Sequence, residues 1–125
     1  GAAELYPRLA ALGERCRRAA EAAFASEGLH AMCTGDGNEA VPGSPLGMIH
    51  FPYRQDARFH CPEDNRNPDL CDVQLGDTVV QLALLLEDVH VVHGLGAVSA
   101  AHTEADVERL AEACRAAARR IRAGL

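Results

Sequence analysis

Leu5, Leu9, Leu12, Cys16, Ala19, Ala20 and Ala23 recur at helical spacing near one end of the chain, and Val107, Leu110, Ala111, Cys114, Ala117, Ala118 and Ile121 recur the same way near the other. Each stripe covers one side of a helix and needs a core to face, so the two helices frame whatever lies between them. The spacing predicts a first helix from about Glu4 to Ser26, with Arg8, Glu14, Arg15, Arg17, Arg18 and Glu21 on its polar face. Glu27-Gly28 ends it, with glycine where helices favour it just past their last turn. The last helix opens at Thr103-Glu104-Ala105-Asp106, a hydroxyl at the N-cap and an acid at the third position, close to a capping box. Its closing Arg119, Arg120 and Arg122 suit the negative end of the helix dipole.

The middle of the chain has a different rhythm. Leu29, Ala31 and Cys33 alternate with polar or flexible neighbours as in a short strand, and Gly35 to Pro45 carries turn residues. Leu46 to Phe51 reads as a second strand ended by Pro52, followed by a polar loop from Tyr53 to Pro68. A helix is expected from about Asp69, with Leu75, Val79, Leu82, Ala83 and Leu86 on its buried stripe. Val89, Val91 and the residues to Ser99 resume an extended pattern, interrupted by Gly94 and Gly96. With 125 residues there is room for one domain, 1–125. The expected fold class is α/β (α+β): a two-layer sandwich with a small three- to four-stranded, mainly antiparallel sheet, helices on one face, and the order α-β-β-α-β-α.

Composition then narrows the chemistry. All twelve basic residues are arginines, against eighteen acids, for a net charge of −6. That balance disfavours nucleic acid and anionic membranes as partners. With no lysine in the sequence, the chain cannot itself form a lysine Schiff base. Neither GxxxxGK[ST] nor GxGxxG occurs, so a phosphate-cradling loop has no support. No signal peptide or membrane-length apolar run is evident, and the five cysteines, Cys16, Cys33, Cys61, Cys71 and Cys114, include no CxxC pair, so a reduced, cytoplasmic setting is expected. Cys16 and Cys114 fall on helix stripes and read as small buried hydrophobes.

Six histidines, His30, His50, His60, His90, His93 and His102, invite a metal reading, above all His60-Cys61 with Cys71 and the His90/His93 pair. Residues three apart on a strand point to opposite faces, and zinc sites favour tighter ligand pairs, so no metal is expected. A Cys-His nucleophile drawn from His60, Cys61 and Cys71 lacks an evident orienting group and oxyanion site. These residues, and the adjacent Glu63 and Asp64, read as a solvated loop.

Three segments in order resemble the C-terminal small domain of class III pyridoxal-phosphate-dependent aminotransferases, above all the glutamate-1-semialdehyde aminomutase branch. Tyr6, Leu9, Leu12 and Gly13 match that family's opening "Y-x-x-L-x-x-L-G" helix. Gly43-Ser44-Pro45-Leu46-Gly47 is similar to its "G-S-M-F-G" strand, with Pro45 and Leu46 in place of Met and Phe. Ser99-Ala-Ala-His-Thr-Glu-Ala-Asp106 matches its "S-x-A-H-T-x-x-D" strand-to-helix junction, the most specific of the three. The resemblance implies a domain that closes the active site of a parent enzyme and supports a homodimer but is not catalytic alone. The cofactor, pyridoxal phosphate, belongs to a separate large domain, and this chain carries no catalytic, cofactor-binding or metal-binding residue of its own. It also implies that His93, Gly94 and Gly96 face the parent's substrate cleft, while His102, Thr103 and Asp106 form a structural junction and cap. The branch's glutamate position falls on Gly94, and residues 90–103 contain no arginine, so no substrate class carries over. The alternative is a free-standing ligand-binding or protein-interaction module that kept the fold.

Overall fold

The computed structural model describes residues 2–36, 43, 46–59, 62–89, 95–97 and 103–124; of 2, 3, 46, 62 and 95–97 it describes the backbone alone. Helix α1 spans Ala2–Ser26, strand β1 Met32–Thr34 and strand β2 Leu46–His50. A 3₁₀ turn at Pro62–Arg66 and a π-helical turn at Leu75–Val79 precede helix α2, Val80–Leu85. Strand β3, Leu95–Ala97, and helix α3, Glu104–Arg122, complete the chain. The class is mixed helix and strand, α+β, and the described strands form one antiparallel sheet in the order β1-β2-β3. Cys33 lies opposite Ile49 in the first pairing, and Gly47 opposite Gly96 in the second.

Helix α1 stops where the sequence stops favouring it. Gly28 takes φ +83°, its N–H reaches the Ala25 carbonyl at 3.0 Å, and the Leu29 N–H reaches back to the Phe24 carbonyl at 2.9 Å. These two bonds make a Schellman closure, which a residue with a Cβ would strain. At the start of α3 the Asp106 carboxylate accepts the Thr103 N–H at 2.7 Å, while the Thr103 side chain serves the third backbone N–H in a reciprocal capping box. Thr103→Ala is therefore expected to cost about 0.5–2 kcal/mol, read as a lower urea midpoint at unchanged slope. An unchanged midpoint would show that the cap is not holding the helix.

Two ion pairs fix the relative direction of the long helices. Arg15, midway along α1, meets Glu104 at the start of α3 at 2.5 Å, and Glu27, just past the end of α1, meets Arg119 near the end of α3 at 2.8 Å, so α1 and α3 run parallel. Their shared seam is lined by small side chains, with Ala20 and Ala23 of α1 and Ala113, Cys114, Ala117 and Ala118 of α3 all buried. Phe24 is the largest fully buried side chain, and its ring stands edge-to-face on Phe51 at 5.3 Å, tying the helix pair to the end of β2. Cys33 and Ile49, directly opposite each other in the sheet, extend the same core.

The structure corrects three sequence expectations. The second helix starts after Asp72 rather than near Asp69, because the Asp72 carboxylate accepts the Leu75 N–H at 3.0 Å and the chain before it is held in a turn by Asn67. Leu82 and Leu86, expected on its buried stripe, are 50% and 57% exposed; Ala83 is buried as expected, and Val80 and Leu84 are buried in place of the two leucines. The π-turn is the reason: it holds an extra residue per turn and shifts the buried face downstream by one position. Arg17, assigned to the polar face of α1, is only 3% exposed. Its stem lies along Gly47, where an added Cβ would come within 3.2 Å of the Arg17 Cγ, and its Nε donates to Asp36 at 2.8 Å.

Candidate functional site

Of the residues expected to face a substrate cleft, Gly96 sits at the centre of β3, which borders the sheet, with Gly47 across from it. His93 and Gly94 lie outside the described residues, as do His60, Cys61, His90 and His102. Thr103 and Asp106 form the α3 cap, and Glu104 between them is spent on Arg15. These contacts give Thr103 and Asp106 a structural task.

Cys71, Glu63 and Asp64 are described, and each has a local structural setting. Cys71 is buried, burial pushes its pKa up, and its Sγ donates to the Asn65 carbonyl at 3.2 Å. Glu63 and Asp64 belong to the 3₁₀ turn rather than to an irregular loop, and Glu63 is exposed. Burial, with Glu21 adding to it, pushes the Cys33 thiol strongly up, and burial pushes Cys114 up to about 12, so neither is an available nucleophile. Among the described residues no three His, Cys, Asp or Glu side chains are placed to hold a metal ion. No described helix is long and apolar enough to cross a membrane.

The one-letter pattern gave no hint of a shallow cleft beside residues 48–51, at the end of β2. It measures about 320 Å³ including its open mouth and is walled by Met48 and His50 of β2, Asn65 and Arg66 of the 3₁₀ turn, and Asp72 and Asp77 beside the π-turn. The space within it that the centre of a water molecule can reach is about 20 Å³, room for little more than one water. The π-turn packs on β2 at Gly76, where an added Cβ would make an ordinary contact with the Ile49 carbonyl at 3.5 Å. The polar walls largely satisfy one another, with Arg66 3.7 Å from Asp77 and Asp72 capping the helix start. His50 is the unusual member. It is 6% exposed, its Nε2 lies 3.0 Å from the Thr34 hydroxyl, its ring stands edge-to-face with Phe59 at 5.3 Å, and burial lowers its pKa. A periodicity argument places His50 on a strand but cannot see that the cover over it comes from residues 9 positions on and from a 3₁₀ turn further still.

Compared with models of protein families and with curated proteins, the chain matches none.

Proposed function

We propose that this chain is the C-terminal domain of a cytoplasmic pyridoxal-phosphate-dependent class III aminotransferase or glutamate-1-semialdehyde aminomutase-like enzyme, which closes the active site and supports a homodimer without being catalytic alone. One observation carries the reading: the segment resembling the family's junction runs into α3 through the Thr103–Asp106 capping box. The other two resembling segments fall on α1 and on the approach to and start of β2. Short hydroxyl and carboxylate side chains at that spacing suit a strand-to-helix turn, so the motif has a physical task where it stands.

Pyridoxal phosphate does not fit this chain as a resident cofactor, because no lysine is present to bind it covalently. What the chain contributes on this reading is shape. On it, Gly96 of β3 would face the parent's substrate cleft together with His93 and Gly94, which lie outside the described residues, while α1 packs against β1 and β2 behind the sheet. The missing PLP-binding large domain supplies the chemistry of amino-group transfer.

The decisive test is the DNA 5′ of the Gly1 codon. A reading frame continuing into a lysine-bearing domain is the expected result; a start codon directly before Gly1 would overturn the proposal in favour of a free-standing binding or interaction module. Biochemically, the isolated chain mixed with pyridoxal phosphate is expected to show no visible band of a lysine-bound cofactor and no transaminase turnover. A borohydride-reducible adduct mapped to one defined side chain by mass spectrometry would count against this.

A further inference from the structure

Side chains alternate along β2, and the two faces do different jobs. Ile49 joins Cys33 in the core against the helices, whereas His50 turns to the other face, where Thr34 of β1 is its diagonal neighbour. That second face is covered in part by the chain that follows. Residues after β2 are anchored at their start, where Pro52 bridges to Cys71 and the Tyr53 N–H reaches the Leu70 carbonyl at 3.0 Å. Beyond Tyr53 the bonds turn inward: Arg54 pairs with Asp56 at 3.0 Å and the Ala57 N–H returns to the Arg54 carbonyl at 3.2 Å. The segment comes back to the sheet at Phe59, through its ring contact with His50.

We infer that His50 is a pH-operated latch for residues 54–59: the neutral imidazole, bound to Thr34, holds Phe59 on the sheet, and the protonated ring lets it go. Among the described residues, the charged groups that line the cleft with His50 are Arg66 from the 3₁₀ turn and Asp72 and Asp77 from beside the π-turn; Thr34, from β1, is neutral. Arg66 lies beside Asp77, and Asp72 accepts a backbone N–H, so both carboxylates already have partners that compete with an imidazolium. A charged ring at this depth must therefore regain water, and the cover it can shed is the Phe59 segment.

The sign follows from burial, which lowers the latched pKa below the ordinary value of 6.5. Latching is complete above that value and is lost as pH falls from it through the latched pKa. Within that window the released population rises by up to about tenfold per pH unit.

Trypsin reads the release, because Arg54 and Arg58 are exposed and lie inside the segment. Cleavage of the full chain after these residues, normalised at each pH to an unstructured arginine peptide, is expected to accelerate about tenfold between about pH 7.5 and about pH 5.5 while the far-UV CD spectrum stays constant. His50→Gln, which can still bond Thr34 but cannot be protonated in this range, is expected to remove the acceleration. Phe59→Leu, at a half-buried surface position, should cleave at neutral pH as the parent does in acid, and should move the His50 ring titration, followed by NMR, up toward its ordinary value. The latch is overturned by pH-independent cleavage of the parent chain, by an undiminished step in either variant, by loss of CD signal together with release, or by a His50 titration midpoint at or above 6.5.

Discussion

Replacing Phe24 with alanine is expected to remove about 3–5 kcal/mol of folding free energy, enough to consume a large share of the roughly 5–15 kcal/mol that holds a domain of this size together. Phe24 is fully buried and contributes the bulk that the alanine-rich seam between α1 and α3 lacks. Its loss would leave a cavity bounded by α1, α3 and the end of β2, and alanine cannot restore the edge contact with Phe51. Small residues such as Ala20, Ala117 and Ala118 have no long side chains with which to collapse into the space. Urea unfolding checks this, with Ala22→Ser as an exposed control on the same helix. A cost below about 1 kcal/mol would mean that the core is organised elsewhere.

Native-state thiol labelling should separate the cysteines by far more than a factor of ten. Burial raises Cys114 from 9.0 to about 12, which lowers its thiolate fraction roughly a thousandfold at neutral pH before access is even considered. Cys33 is shifted in the same direction by burial and by Glu21. Cys16 is half-buried on α1, and burial raises its pKa as well, but reagent can approach it. Iodoacetamide with peptide mapping is expected to mark Cys16 well ahead of Cys33 and Cys114, which should react only when denaturant opens the core. Comparable labelling of Cys114 and Cys16 in the folded protein would show that the α1/α3 seam opens readily, contrary to the packing described.

What could be read in advance divides along a physical line. Helix ends are set by neighbours in sequence, so the Gly28 closure and the Thr103–Asp106 pair were legible as patterns. The face of the second helix was not, because a periodicity argument assumes a constant residue count per turn. One π-turn at Leu75–Val79 is enough to carry Leu82 and Leu86 outward and bring Val80 and Leu84 inward. Arg17 was misplaced for a related reason. Its burial depends on a glycine 30 positions later, Gly47, and on Asp36 at the end of β1, and no local pattern encodes either meeting. The cleft around His50 is harder still, since its walls come from a strand, a 3₁₀ turn and a π-turn brought together only by the tertiary fold. Of the candidate cleft residues named from resemblance, Gly96 can be placed, on β3, while His93 and Gly94 lie outside the described residues.

The parallel course of α1 and α3 also has a mechanical meaning. The first residues of α1 and the last residues of α3 sit at opposite poles of the pair, separated by at least the length of α1, about 37 Å for its 25 residues. Tension between the two chain ends therefore acts along the common axis and drags the helices past one another. All the alanine contacts of the seam resist together, instead of parting one at a time as they would if the helices were peeled from the same end.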